Sequence, residues 1–141
     1  MFKVKDVMTK NVVAVGKDTN VYDALNILVD QRISGLPVVD RSHRVVGILT
    51  EKDLLGLIMN ERAVKFKKVA DYMTKKVQSF NEDDSLISLC KFFMDNAVRR
   101  VPVLDEHGVL KGIAARRDVL SVIAEMRGEK KRKDHPEPAK A

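Results

Sequence analysis

The sequence predicts an α/β (α+β) protein built from two β-α-β-β-α units related by a pseudo-twofold axis, and three observations lead there. Residues 3 to 55 align with residues 68 to 120 at a constant offset of 65 without a gap, and 16 of these 53 pairs are identical. Each copy repeats the same order of local signals. A single copy would also leave one sheet face and two apolar helix stripes uncovered, which the other copy can cover. The 141 residues are therefore expected to form one compact pair whose halves share a core.

The first strand of each copy is read from a short apolar run, VVAV from Val12 and VQSF from Val77. Polar clusters follow, Asp18-Thr19-Asn20 and Asp83-Asp84-Ser85, whose side chains can accept the free amides of a helix start. Apolar residues then recur at helical spacing, Val21, Ala24, Leu25 and Leu28 in copy one and Leu86, Leu89, Cys90 and Phe93 in copy two. Two strands come next, LPVVD to RVVGIL and VPVLD to VLKGIA, forming hairpins around Arg41-Ser42-His43 and Glu106-His107-Gly108. A second helix closes each copy, over residues 51 to 59 and 116 to 126. The organisation is thus a first motif at 1–59, a connector at 60–67, a second motif at 68–126 and a tail at 127–141.

Apolar residues make up 45% of the chain and charged residues 33%, a soluble balance, and no apolar run reaches the roughly 18 to 20 residues that span a bilayer. The opening MFKVKDVMTK has no apolar signal core, so a cytoplasmic location is expected and no membrane partner. The single cysteine, Cys90, reads as a small core hydrophobe. Residues 125 to 141 carry six of the Lys and Arg that give the formal charge of +6, with two prolines and no large apolar residue after Met126. They read as a disordered, solubilising basic tail, with nucleic acid a less favoured partner.

No nucleotide-transfer loop, metalloprotease motif or paired cysteines occur, and His43, His107 and His135 lack a second ligand at useful spacing. The chain is not expected to be an enzyme or to hold a metal or cofactor.

The openings DVMTKNVVAV and DYMTKKVQSF, the segments GLPVVD and RVPVLD, and the Gly-apolar-x-Ser/Thr-x-x-Asp element together resemble cystathionine-β-synthase (CBS) motifs. The whole chain except its tail resembles a stand-alone tandem CBS pair, or Bateman module. Copy one holds the last element intact from Gly47 to Asp53, whereas copy two runs Gly112-Ile113-Ala114-Ala115-Arg116-Arg117-Asp118, with alanine in place of the hydroxyl.

Thr50 and Asp53, three apart at a helix start, share one face. The Asp can accept bonds from both ribose hydroxyls, and the helix amides favour a phosphate. The same pair also reads as an N-cap with a capping acid. The recurrence of the Asp and the CBS resemblance favour the ligand reading. The resemblance further implies a phosphate region at Arg99, Arg100, Arg117 and Lys52, and arginine's planar fork suits phosphate oxygens. It places the base in a slot around Lys10, Val12, Ser34, Gly35, Leu36 and Pro37. Since Asp118 follows Ala115, and Arg100 replaces the glycine of copy one, the site is expected at Asp53, with the Asp118 site weaker or empty.

The function so implied is a regulatory module that binds AMP, ADP or ATP between the copies and signals to an effector protein. A homodimer is expected, as CBS pairs commonly form. A ligand-free dimerisation module and a nucleic-acid binder are the competing readings.

Overall fold

In the computed structural model, which describes residues 1–59 and 67–132, each half follows the expected order. The first half has strand β1 (Val15–Gly16), helix α1 (Val21–Gln31), strands β2 (Gly35–Val39) and β3 (Val45–Thr50) and helix α2 (Glu51–Met59). The second has β4 (Phe80–Asn81), α3 (Leu86–Asp95), β5 (Arg100–Leu104), β6 (Leu110–Ala115) and α4 (Arg116–Arg132). A single 3-10 turn precedes each half, at Val4–Asp6 and Val69–Asp71. Two three-stranded sheets result, ordered β1-β2-β3 and β4-β5-β6, with the outer short strand parallel to its neighbour and the hairpin antiparallel.

The repeated residues explain this local structure. Asn20 accepts the Tyr22 amide at 2.8 Å and Ser85 the Ser88 amide at 3.1 Å, capping α1 and α3 as expected. The invariant pair Asp40 and Asp105 closes the hairpin turns. Asp40 accepts the amides of Ser42 and Arg44, both at 2.9 Å, and Asp105 those of His107 and Val109 at 2.8 and 3.0 Å. These bonds, led by the Val109 amide, hold the Asp105 carboxyl below its ordinary pKa. The positive φ of each turn falls on the same repeat position, His43 at 64° and Gly108 at 81°.

Three features depart from the sequence reading. The first strands are two residues long, since only Val15–Gly16 and Phe80–Asn81 reach the sheet; in the first copy Val12 donates its amide to the Lys10 carbonyl in a tight turn ahead of the strand. The last helix runs past Met126 to Arg132, with a non-helical residue at Gly128. Residues 60–66 of the expected connector and 133–141 of the expected tail lie outside the described residues.

The third departure is the core. Two apolar clusters form in place of one shared core, and each takes residues from the other half. Val4 and Val7 pack with Leu86, Leu89, Phe93, Val101, Val103, Ala114 and Val119, while Val69 packs with Val21, Ala24, Leu28, Leu36, Val38, Leu49 and Leu54. Backbone bonds hold the exchanged segments. Val4 and Lys5 donate to Asp84 and Glu82, Leu86 donates to Phe2, Val69 and Ala70 donate to Thr19 and Lys17, and Val21 donates to Lys67. Val4, Val7 and Val69 thus pack in the half opposite to their own motif. Exposed ion pairs of Lys3 and Lys5 with Asp83, and of Lys68 with Asp18, decorate the crossings and add little stability. Cys90 is only partly buried against the second cluster of helices and strands, that of α3.

Candidate functional site

The exchanged segments build the site. After Val7 the chain runs along the last strand of the opposite half, and Thr9 and Ile113 exchange backbone bonds of 2.8 and 2.9 Å. Thr74 and Ile48 do the same at 2.8 and 2.9 Å. Such an approach requires a residue without a side chain beside it. A Cβ on Gly112 would stand 2.6 Å from the Thr9 carbonyl oxygen, and one on Gly47 3.0 Å from that of Thr74 and 2.7 Å from Met73 Sδ. The glycine of the Gly-apolar-x-Ser/Thr element thus serves the crossing of the two halves.

Between the halves lies a cavity of about 340 Å³, within the range of small-molecule sites. Its middle straddles the pseudo-twofold, since Gly35 and Arg100, Pro37 and Pro102, and Ile48 and Ile113 are all pairs at the offset of 65. From there it extends along Thr9, Asn11, Val12, Val13, Gln31 and Ile33 on one side and Ala115, Arg117 and Asp118 on the other.

Of the thirteen residues expected at the site, the cavity gathers Val12, Gly35, Pro37, Arg100, Arg117 and Asp118. Lys10, Ser34, Leu36, Thr50, Lys52, Asp53 and Arg99 are not among its walls. Leu36 is fully buried in the first core. The carbonyls of Ser34 and Arg99 accept the Glu51 and Arg116 amides, each at 3.0 Å, and so start the closing helices. Lys10 and Lys52 are exposed.

The crossing of the two halves decides which of these residues stand together. Val12, Gly35 and Pro37 stand with Asp118, because the opening of the first copy crosses to β6; by the same crossing Asp53 faces the opening of the second copy. At Thr50 and Asp53 the capping arrangement is present. Asp53 accepts the Thr50 amide at 2.9 Å and the Thr50 hydroxyl at 3.0 Å, and the Asp53 amide donates back to that hydroxyl at 3.3 Å. Thr74 adds its hydroxyl to the same carboxylate, at 3.2 and 3.4 Å from the two oxygens. Asp118 accepts the Ala115 amide at 3.0 Å.

Thr9, Asn11, Gln31, Ile33 and Ile113 line the cavity and escaped the sequence reading. Thr9 and Ile113 carried a signal, being identical to Thr74 and Ile48 in the repeat. Arg116 also escaped it: its guanidinium donates to the Val98 carbonyl at 3.1 Å and to the Asn96 carbonyl, and so holds the loop that delivers Arg100. Among the described residues no group of three or more side chains could ligate a metal, and no helix is long and apolar enough to cross a membrane.

The CBS domain model matches residues 4–60 and 69–125, most of the chain. The chain belongs to the CBS domain family. Its two halves are CBS motifs, paired as in solved CBS-pair structures. CBSX2 from Arabidopsis thaliana, solved in complex with AMP, is 33% identical with a TM-score of 0.81, over 90% of this chain and 99% of that one. The CBS domain pair of MJ0100, solved with 5-methylthioadenosine and S-adenosyl-L-methionine, is 25% identical with a TM-score of 0.71, over 86% of this chain and 99% of that one. An inosine-5'-monophosphate dehydrogenase from Methanocaldococcus jannaschii is 35% identical over 138 residues, 98% of this chain but 25% of the enzyme. The chain thus spans a quarter of the length of that relative.

Proposed function

We propose that this CBS pair is a regulatory module that binds an adenine nucleotide, AMP, ADP or ATP, in the cleft between its motifs and passes the cleft's occupancy to a partner protein. The observation that carries the reading is the set of cavity walls. Asp118 offers a carboxylate for ribose hydroxyls, Arg100 and Arg117 offer cations, and Val12, Ile33, Pro37 and Ile113 offer an apolar slot for a base. A ligand held there touches both motifs at once, so its binding biases how they sit together. The complex of CBSX2 with AMP supports the same ligand class. MJ0100 holds ligands without phosphate, one of them a sulfonium cation. Two arginines in the present cleft favour an anion over such a cation.

Calorimetry with AMP, ATP and S-adenosylmethionine tests this. The nucleotides are expected to bind in the micromolar range. Arg117→Ala should weaken them about tenfold or more, the worth of a charge-assisted hydrogen bond. Absence of nucleotide binding at high micromolar concentration would end the reading.

The homodimer is part of the same proposal. The outward helix faces carry exposed apolar residues at matching repeat positions, Val29 with Met94 and Leu55 with Leu120, each at least 60% exposed. Two like faces on one chain suit a second copy, which can cover both. Sedimentation velocity should show a dimer, converted to monomer by Leu55→Glu with Leu120→Glu. A wild-type monomer at high micromolar concentration would refute it.

A further inference from the structure

A second copy can cover the outward helix faces in two ways, like motif on like or motif 1 on motif 2, and the side chains of those faces distinguish them. In motif 1 a hollow of about 210 Å³ lies between α1 and α2, lined by Leu25, Leu28, Val29, Glu51, Leu54 and Leu55. Glu51, its one charged wall, is exposed and forms no ion pair with another described residue. The offset of 65 carries these positions to Cys90, Phe93, Met94, Arg116, Val119 and Leu120 between α3 and α4. The apolar character is kept, and the charge is reversed. Arg116 is held in place by its bonds to the Val98 and Asn96 carbonyls, so its cation has a fixed position on that face. A second difference has the same sign. On α3 the exposed Lys91 lies between the exposed Ile87 and Met94, at helical spacing, whereas α1 has Asn26 between Tyr22 and Val29.

We infer that the second copy docks antiparallel, so that the α1–α2 face of each chain receives the α3–α4 face of the other, with Glu51 toward Arg116 in two symmetry-related contacts. The inference rests on the homodimer reading above and adds its orientation. Like motif on like would set Glu51 against Glu51 and gather Lys91 and Arg116 of both chains at one seam, a repulsion that the antiparallel pairing turns into attraction. The antiparallel pair is closed, because a contact of motif 1 with motif 2 is repeated as motif 2 with motif 1. It also presents Met94, 83% exposed, to the face that holds the hollow, and an unbranched thioether adapts to irregular gaps.

Sedimentation equilibrium of the full chain and cysteine cross-linking test the orientation. At low salt Glu51→Arg should raise the dimer dissociation constant about three- to thirtyfold, twice the worth of an exposed ion pair. Glu51→Arg with Arg116→Glu should bring it back toward the wild-type value. In a like-on-like dimer Glu51→Arg only exchanges one like-charged pair for another, so an unchanged constant would overturn the inference. Arg116 also braces its own loop, and cross-linking avoids that residue. In a Cys90→Ser background, a short bismaleimide should link a mixture of Val29→Cys and Met94→Cys chains into covalent dimers and should link neither variant alone. Covalent dimers from either variant alone, or none from the mixture, would overturn the orientation and leave the homodimer standing. A wild-type monomer at high micromolar concentration would strike the homodimer reading itself.

Discussion

Val4→Asp is expected to unfold the second motif, although residue 4 belongs by sequence to the first. Val4 is fully buried and sits among Leu86, Leu89 and Phe93 of the opposite half. Its amide donates to the Asp84 carbonyl at 2.9 Å, which fixes the segment there. Removing the valine forfeits about 1.5–3 kcal/mol of burial. The new carboxylate adds a desolvation cost of several kcal/mol, because among the described residues no polar or charged residue is buried to meet it. The sum is comparable with the whole stability of a small domain, about 5–15 kcal/mol. Urea unfolding followed by circular dichroism should show a low midpoint or no cooperative transition. A midpoint close to the wild-type value would mean that the segment does not cross in solution.

Gly112→Ala should be the most damaging of the single-methyl changes. The added Cβ would lie 2.6 Å from the Thr9 carbonyl oxygen, and that oxygen cannot withdraw cheaply, because it accepts the Ile113 amide at 2.9 Å. Met8 Sδ, at 2.8 Å, can give way, but the backbone must shift. Overpacking of this kind costs about 1–3 kcal/mol, a Tm loss of roughly 3–10 °C at this chain length. Nucleotide affinity should fall too, since Thr9 and Ile113 both line the cavity. Gly56 provides the control. Nothing lies within 4 Å of a Cβ there, and it is inside helix α2, so Gly56→Ala should raise stability by about 0.5–1 kcal/mol. Equal responses of the two variants would show that the crossing is loose.

Both outcomes depend on how the halves are exchanged, and this divides what could be read from the sequence. The repeat, the helix caps at Asn20 and Ser85, the hairpin turns at Asp40 and Asp105, and the closing helices are local. A side chain there bonds an amide two to four residues away, so residue order is enough to place it. Asp118, Arg100, Arg117 and Gly35 of the cleft walls are nameable from residue type, position and family resemblance, but the sequence reading centres the site on Asp53.

Which residues stand together was not legible. An offset of 65 says that Thr9 and Thr74 are equivalent but not whether each lies beside its own closing strand or its partner's, because the two pairings preserve the same pattern of apolar and polar positions. Only the packed structure decides, where Val4 and Val69 fill the opposite cores and Gly47 and Gly112 leave room for the crossing backbone. Residue order thus specifies a pair of like units with a carboxylate at the head of each closing helix. Tertiary structure alone decided that the cleft reaches Asp118, with Asp53 tied to Thr74, since a hydrogen bond across 21 residues depends on how the halves meet.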